Sequence, residues 1–253
     1  VLRQMLKAVT LSGHTGYNGV SCVAAADDGH VLTGSDEKTV KVWRGDKLVR
    51  TIKAHTDQGA HRVYALAVLP GGARFVVVSE NNAAKLFTFG GELVRTFRSV
   101  EVGRSVYCVA ALPDGVHFVV GTSKPYVVGL YHVDGTLVHA FKGNTVHDWV
   151  IADRSGAPHL QHRGHADLVS AVAVTPDGQH IISGSWDKLV KVWSVASKSL
   201  VSTCAGHTNW VEAVAAMPDG QRILSGSRDE TVRVWLLNGT LKNTFELHTH
   251  QVS

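Results

Sequence analysis

Short runs in which apolar and polar side chains alternate recur along the whole chain and are separated by turn residues. Residues 231–236 alternate Val with polar residues, and a Pro-Asp-Gly turn at 218–220 separates the apolar run 210–216 from residues 222–225. Val, Ile, Thr and Trp in such runs are typical of β-strands with one buried face. Pro, Asp and Gly favour tight turns, because Pro fixes φ, Asp bonds to its own backbone and Gly accepts a positive φ. No segment keeps a helical period, so the pattern predicts an all-β fold.

One motif appears three times in nearly the same form. A Gly-His pair is followed by an Asp-Gly turn, by Ser-Gly-Ser or Thr-Gly-Ser, and by a Val-Lys-Val-Trp or Val-Arg-Val-Trp run. The Gly-His pairs are Gly13-His14, Gly164-His165 and Gly206-His207. The last two pairs lie 42 residues apart, a period that is typical of radial arrays of four-stranded units. Such units fold by stacking on one another, and they usually present a binding surface rather than a catalytic cleft.

Turn glycines mark five repeats. They follow one another in steps of 43, 43, 63 and 42 residues and are Gly29, Gly72, Gly115, Gly178 and Gly220. The sequences at 141–143 and 163–165 both match an ordinary junction between units, so we interpret residues 144–163 as an insertion in a surface loop. The chain is expected to form one domain over residues 1–253. Its repeats are predicted at residues 14–54, 55–98, 99–143, 165–206 and 207–247.

The composition permits a large core and indicates an intracellular protein. Apolar residues make up 44% of the 253 residues, which is enough for a core without disulfide support. Three isolated cysteines are interpreted as reduced core thiols, with a cytoplasmic location expected; they are Cys22, Cys108 and Cys204. Apolar runs such as residues 65–69 are far shorter than the roughly 20 residues of a membrane-spanning helix. The net charge of +4 includes no run of consecutive Lys or Arg, so nucleic-acid binding is not indicated.

These motifs resemble the WD-repeat (WD40) β-propeller family over nearly the whole chain, apart from residues 144–163. The family's terminal Trp-Asp dipeptide is replaced by Trp43-Arg44, Trp193-Ser194 and Trp235-Leu236. The resemblance implies a β-propeller of four-stranded antiparallel blades, with five repeats here that belong to a seven-bladed ring. It also implies that the strand at 3–10 lacks blade-mates and that residues 248–253 begin a further repeat, so we expect the natural protein to continue beyond the C-terminus.

The same resemblance implies a buried hydrogen-bonded chain of His, Ser or Thr, Asp and Trp in each blade. The complete sets are His165, Ser183, Asp187, Trp193 and His207, Ser225, Asp229, Trp235. The first repeat has His14, Thr33 and Trp43, with Glu37 at the place of the Asp. The second repeat instead has Val77, Asn81 and Phe87, and the third has Val120 and Tyr131. Replacing all the polar partners together avoids a stranded buried group, so these two blades are expected to rely on apolar packing.

Chemical alternatives exist for some of these residues. His, Ser and Asp are the side chains of a hydrolase triad, but the trio recurs at a fixed period and its Ser lies inside a strand rather than at an exposed turn. His147, His159, His162 and His165 repeat no zinc-site spacing and have no Cys support. We therefore expect no enzymatic activity, no metal and no cofactor. One repeated strand position carries basic residues that are expected to point outward between inward Val residues; these are Lys41, Lys85, Lys191 and Arg233.

Family partners often bind the narrow top face of the propeller, and the resemblance assigns several residues of this chain to that face. They are Arg62, Tyr64, Tyr107, Trp186, Trp210, Glu212 and Arg228. Trp, Tyr and Arg are the side chains that most often anchor protein interfaces. One alternative is that these aromatics cap blade edges. A separate alternative is that residues 149–151 of the insertion form the docking segment. The predicted function is a non-catalytic scaffold that binds protein or peptide partners; the alternative is an architectural subunit of a large multiprotein or ribonucleoprotein assembly.

Overall fold

The structure is a computed structural model that describes residues 11–15, 19–54, 62–71, 73–79, 83–98, 105–123, 126–142 and 164–246. In these ranges the chain forms twenty β-strands and no helix, so the all-β prediction is confirmed. No helix in the described ranges is long and apolar enough to cross a membrane. The insertion at 144–163, the predicted strand at 3–10, the start of a repeat at 248–253 and Asn81 lie outside the described residues.

The strands form five four-stranded antiparallel sheets, and each sheet takes its strands in chain order. The first sheet is β1 (Val20–Ala25), β2 (His30–Ser35), β3 (Thr39–Arg44) and β4 (Lys47–Lys53). The second is β5 (Val63–Val68), β6 (Arg74–Ser79), β7 (Ala83–Thr88) and β8 (Leu93–Arg98). The third is β9 (Val106–Ala111), β10 (His117–Thr122), β11 (Val128–His132) and β12 (Leu137–Phe141). The fourth is β13 (Val169–Val174), β14 (His180–Ser185), β15 (Val190–Ser194) and β16 (Ser199–Cys204), and the fifth is β17 (Val211–Ala216), β18 (Arg222–Ser227), β19 (Thr231–Leu236) and β20 (Leu241–Glu246).

The sheets stack face to face through their first strands, so that β1, β5, β9, β13 and β17 follow one another in that order. The core lies between neighbouring sheets: Ile182 and Val192 of the fourth sheet, for example, pack against Val211 and Trp235 of the fifth. Each sheet is therefore a blade of a WD40-type β-propeller. The expectation that seven blades close the ring stays a prediction.

The third and fourth blades are direct neighbours. β9 packs against β13 as β13 packs against β17, and the Cys108 thiol lies 3.5 Å from the carbonyl oxygen of Val169. No further sheet separates the two blades in the described part of the chain. The predicted insertion at 144–163 consequently does not interrupt the order in which the described blades stack.

A glycine in the second strand of one blade receives a valine from the next blade. A Cβ added to Gly34, Gly121 or Gly184 would lie 2.6 to 2.7 Å from a Cγ1 atom of that valine, which is Val63, Val169 or Val211 respectively. Only a residue without a side chain leaves space for this contact, which we call the Val-Gly joint. The joint explains the glycine in the middle of the Ser-Gly-Ser and Thr-Gly-Ser tripeptides.

The first blade leaves one of its faces uncovered. Val20 in the first blade is equivalent to Val169 in the fourth. Each pairs with the last serine of the second strand in its own blade, Val20 with Ser35 and Val169 with Ser185. Val20 is 51% exposed and Val169 is fully buried. Val23, on the same strand, is 66% exposed. The difference follows from position in the stack, since an inner blade is covered on both faces and the first described blade is covered on one.

Candidate functional site

In the fourth blade a continuous line of hydrogen bonds joins four buried or nearly buried side chains. The Trp193 indole N–H donates to the Ser183 hydroxyl at 2.8 Å. Ser183 Oγ lies 2.7 Å from Nε2 of His165, and Nδ1 of the same ring lies 2.8 Å from Oδ2 of Asp187. A neutral histidine with its proton on Nδ1 donates to the carboxylate and accepts from the serine, so both ring nitrogens are satisfied.

The fifth blade repeats this geometry. The Trp235 indole N–H donates to Ser225 Oγ at 2.8 Å, and Ser225 Oγ lies 2.7 Å from His207 Nε2. His207 Nδ1 lies 2.8 Å from Asp229 Oδ2. The carboxylate also accepts the backbone N–H of Thr231 at 3.1 Å and its hydroxyl at 2.7 Å. The line therefore ties the loop before the first strand to the second strand, the third strand and the turn between them.

In the first blade Glu37 takes the place of the aspartate. His14 Nδ1 lies 2.6 Å from Glu37 Oε1, and His14 Nε2 lies 2.8 Å from Thr33 Oγ1. The Trp43 indole N–H donates to Thr33 Oγ1 at 2.9 Å. The longer glutamate thus reaches the same ring nitrogen, and its other oxygen accepts the backbone N–H of Thr15 at 2.9 Å.

The electrostatics of these lines favour a neutral histidine beside an ionised carboxylate. Burial lowers the pKa of His165, and the opposing effects of Asp187 do not offset it. Burial lowers the pKa of His207 in the same way. Burial acts to raise the pKa of Asp229, but hydrogen bonds from Thr231, from a backbone N–H and from His207 outweigh it and hold that pKa below its usual range. The Asp187 pKa is lowered for the same kind of reason.

The second and third blades carry apolar side chains at several of the corresponding positions. Phe87 stacks on Phe75 with ring centroids 5.8 Å apart, and both are buried. Tyr131 stacks on Phe118 at 5.7 Å, and Val120 is buried in the same cluster. Dispersion and apolar burial hold these positions, where the other three blades use hydrogen bonds.

The hydrolase interpretation meets a steric obstacle in this geometry. The His-Ser pairs and the His-Asp pairs have the distances of a catalytic triad, but Ser183 has no exposed surface and Ser225 is 1% exposed. A nucleophilic serine must reach the carbonyl carbon of a substrate. The line of hydrogen bonds therefore acts within the blade. Among the described residues no cluster of His, Cys, Asp and Glu could hold a metal ion.

The expected outward orientation of the repeated basic residues is wrong for two of them. Lys191 is 2% exposed and Lys41 is 9% exposed. Lys191 Nζ donates to Thr203 Oγ1 at 3.2 Å, and Lys41 Nζ lies 3.6 Å from Glu37 Oε1. Alternation along a strand predicts a solvent face only for a sheet that is covered on one side, and the inner fourth blade, which carries Lys191, is covered on both. Lys41 lies in the first blade, where its ammonium is turned toward Glu37.

At the loop end of the fourth and fifth blades, four of the residues assigned to the top face come together. Trp186 follows β14 and Trp210 precedes β17, and their rings stack with centroids 3.9 Å apart and planes 6° apart. The Arg228 guanidinium lies 4.6 Å from the centroid of Trp210. Its Nε–H also donates to the Glu212 carboxylate. We call these four residues the Trp-Arg cluster; both Trp rings are half-buried.

A second aromatic pair lies at the same end of the sheets. Tyr64 stacks on Tyr107 across the second and third blades, with centroids 5.1 Å apart and planes 20° apart. Both residues follow the first residue of an inner strand, as Glu212 does in the fifth blade. Arg62, directly before β5, is exposed. Six of the seven assigned residues therefore lie in the Trp-Arg cluster or in this tyrosine pair.

Sequence reasoning missed a bridge between blades at this register position. Ser21 Oγ donates to the carbonyl oxygen of Gly34 at 3.1 Å and to that of Val63 in the next blade. Ser170 Oγ donates to Gly184 at 3.1 Å and to Val211 in the next blade in the same manner. The signal in the sequence is a Ser directly before a Cys-Val or Ala-Val pair, at the place where the second, third and fifth repeats have Tyr, Tyr and Glu.

Comparison with known proteins agrees with this architecture. The model of the family "WD domain, G-beta repeat" matches residues 6–44, 156–194 and 198–235. The chain is 27% identical over 211 residues to the guanine nucleotide-binding protein subunit beta of Schizosaccharomyces pombe, a match that covers 74% of this chain and 67% of the relative. It is 25% identical over 224 residues to the subunit of the same name in Arabidopsis thaliana, covering 73% of this chain and 58% of the relative.

A shorter match concerns a single repeat length. The chain is 50% identical over 44 residues to the ribosome biogenesis protein BOP1 homolog of Drosophila grimshawi, which covers 17% of this chain and 6% of that protein. The chain thus spans between 6% and 67% of the length of these relatives. The stacked four-stranded blades, the repeated lines of hydrogen bonds and the three matched segments together show that this chain carries WD40 repeats and has the fold of a WD40-type β-propeller.

Proposed function

We propose that this chain is a non-catalytic scaffold that binds protein or peptide partners at the loop end of its blades, with the Trp-Arg cluster as the main anchor. The observation that carries the proposal is the stacked pair of Trp186 and Trp210, half-buried and flanked by Arg228. Trp and Arg dominate binding energy in protein interfaces because they bury large areas at low cost in side-chain entropy. The similarity to two guanine nucleotide-binding protein β subunits supports a scaffold function.

An unsatisfied donor in the cluster also supports partner binding. The indole N–H of Trp186 is buried and has no hydrogen-bond partner among the residues that the structure describes. An unmade hydrogen bond of this kind costs about 1–3 kcal/mol. A carbonyl or carboxylate oxygen of a bound peptide, reaching the edge of the Trp186 ring after a small movement, would satisfy the donor and so favour the bound state.

The test compares single substitutions in a quantitative affinity purification. Trp186→Ala and Trp210→Ala should each weaken binding of a captured partner by about 2 kcal/mol, roughly thirtyfold in Kd. Val201→Ala, which truncates an exposed apolar side chain on β16 of the fourth blade, is the matched control and should bind as the unmodified chain does. The interpretation of the aromatics as caps between blades predicts the opposite pattern: the Trp substitutions would lower the thermal midpoint and leave partner affinity unchanged.

The insertion is the competing docking segment, and its deletion separates the two sites. Removal of residues 144–163 should leave partner binding intact if the Trp-Arg cluster is the anchor. Binding that survives both Trp substitutions and disappears with the deletion would assign the site to the insertion.

We also propose an intracellular, cytoplasmic setting, which is supported by the three cysteines that form no disulfide.

The second candidate is an architectural subunit of a large multiprotein or ribonucleoprotein assembly, and the match to a ribosome biogenesis protein favours it. That match is one repeat long, so it supports the presence of a WD40 repeat more strongly than membership of an assembly. Purification separates the two candidates. A scaffold should remain a soluble monomer on size-exclusion chromatography in the absence of partners, whereas a permanent subunit should aggregate or require co-expression.

A further inference from the structure

The outer rim of the propeller is built from edge strands. β4, β8, β12, β16 and β20 each pair with one neighbour in their sheet. The other edge of each strand therefore presents backbone N–H and C=O groups that a further strand can pair with. The rim is distinct from the Trp-Arg cluster, which lies in the loops at one end of the blades.

Positive charge is concentrated on the rim of the first two blades. β4 and β8 together contain five Lys or Arg residues and no Asp or Glu. β12, β16 and β20 together contain one Lys and one Glu. We call the rim formed by β4 and β8 the basic rim. Asp46 and Glu92, the nearest acidic residues along the chain, lie in the turns before the two strands.

The basic side chains on this rim are available to a partner. Lys47, Arg50, Lys53 and Arg95 are all exposed. None of the four forms an ion pair with another described residue. Their charges are therefore not neutralised within the described part of the protein, and they sum to a local positive potential that attracts an anionic group.

Apolar side chains are interleaved with these charges. Leu48 is 46% exposed and Val49 is 54% exposed on β4, and Leu93 and Val94 of β8 are exposed to a similar degree. The sequence of β4 mixes the two types on each face of the strand, with Val49 between Lys47 and Lys53 on one face and Leu48 beside Arg50 on the other. A strand that carries both acidic and aliphatic side chains on each of its faces complements such an edge.

Charged residues on an edge strand also protect a protein from aggregation. Protection alone does not account for the distribution seen here. β12 and β16 are edge strands of similar length, with five and six residues, and they carry no Lys or Arg. β16 also exposes an apolar side chain, Val201. If charge were needed on every edge of this fold, these two strands would carry it as well.

We propose that the basic rim is a second docking surface, which binds an acidic segment of a partner protein as an added strand along β4. The backbone of the segment pairs with the open edge of β4, its Asp or Glu side chains meet Lys47, Arg50 and Lys53, and its aliphatic side chains cover Leu48 and Val49. The charge complementarity and the open edge select this partner. A nucleic acid fits less well, because the aromatic side chain of β4 and β8, Phe97, is buried and cannot stack on a base, and because aliphatic side chains lie between the cations.

The experiment measures binding of a fluorescein-labelled peptide that repeats Glu-Glu-Val-Val, and so carries Glu and Val on both faces of a strand, to the 253-residue chain by fluorescence anisotropy. The peptide should bind, and its Kd should rise with salt between about 0.05 and about 0.3 M NaCl because the contacts are partly screened. The triple variant Lys47→Glu/Arg50→Glu/Lys53→Glu should weaken binding about tenfold or more. Leu48→Ser/Val49→Ser should weaken it about fivefold through lost apolar contact.

Controls on another edge strand make the result specific. Lys242→Glu on β20 changes a charge at the rim of the fifth blade and should leave the peptide Kd within about twofold. Hydrogen exchange of the unmodified chain should slow in β4 when the peptide is added and stay unchanged in β12 and β16. Failure of the peptide to bind, equal binding by the triple variant, or protection elsewhere than β4 would overturn the proposal. Tighter binding of oligouridylate, insensitive to Leu48→Ser/Val49→Ser, would show a nucleic-acid surface and overturn it too.

Discussion

Removal of one buried carboxylate in the fifth blade tests whether the line of hydrogen bonds stabilises the fold. Asp229 accepts hydrogen bonds from His207 Nδ1, from the backbone N–H of Thr208, and from both the N–H and the hydroxyl of Thr231. In Asp229→Ala all four donors lose their acceptor. The side chain of His207 has no exposed surface, so its N–H cannot turn to water, whereas Thr208 is exposed.

The magnitude follows from these exposures. A stranded buried donor costs about 1–3 kcal/mol. The lost hydrogen bond of His207 is expected to cost an amount at the upper end of that range. The cost at Thr231 is smaller because its hydroxyl can rotate to another acceptor, and the cost at Thr208 is small because water replaces the carboxylate. The expected loss is about 3 kcal/mol of unfolding free energy, which lowers the melting temperature by roughly 6 to 12 °C in a chain of this size.

The assay is urea denaturation followed by Trp fluorescence, with Asp219→Ala as the matched control in the same blade. Asp219 also accepts backbone hydrogen bonds, from Gln221 at 2.9 Å and Arg222 at 3.1 Å, but it lies in an exposed turn. Its removal should cost about 1 kcal/mol or less, since water replaces the lost acceptor. Asp219 also accepts a hydrogen bond from the exposed Arg222 guanidinium. Equal denaturation midpoints for the two variants would refute the reasoning, because the buried donors around Asp229 account for its larger expected cost.

Two further predictions concern pH and packing. Burial lowers the pKa values of His165 and His207, so near and below about pH 6.5 the unfolded chain binds protons that the folded chain does not. The unfolding free energy should therefore be highest above about pH 6.5 and fall as the pH drops below that value. A urea midpoint that is constant from pH 8 to pH 5 would contradict this. Gly184→Ala should lower the unfolding free energy by about 1–3 kcal/mol, because the added Cβ would lie 2.7 Å from Val211 Cγ1 and 2.9 Å from Val214 Cγ1. Gly90→Ala, in an exposed turn, should change the thermal midpoint little, and equal shifts for the two glycines would argue against the Val-Gly joint.

The strands were predictable from the sequence because their signals are local. Alternation, β-branched residues and Pro-Asp-Gly turns act over a few residues, and the Gly-His and Trp positions repeat with a fixed period. The burial of Lys191 was not predictable in this way. Its neighbours Val190 and Val192 assign it to the opposite face of the strand, and only the stacking of blades shows that this face is covered as well.

Contacts between blades account for most of what the sequence leaves open. Trp186 and Trp210 belong to different sheets, and no periodicity along one strand indicates that their rings stack. The basic rim depends on which strand is outermost in each blade, since Lys47 on an outer strand is exposed and Lys191 on the third strand of an inner blade is buried. Resemblance to a family supplied the candidate positions, and the packing of this chain determined which of them meet.

The Val-Gly joint makes the whole repeat the unit in which such a protein can change its length. Each of the three joints uses the same two kinds of residue, a valine that opens one blade and a glycine inside the blade before it. Duplication or loss of a complete repeat that has such a glycine leaves a valine facing a glycine at the new boundary; the second blade, with Val78 at the glycine's register position, is the exception. A one-residue insertion or deletion within a strand would turn the valine or the glycine to the opposite face of its sheet and break the contact. Extra residues between blades are tolerated on the same ground: Val169 fits against Gly121 although twenty more residues than usual separate these two blades.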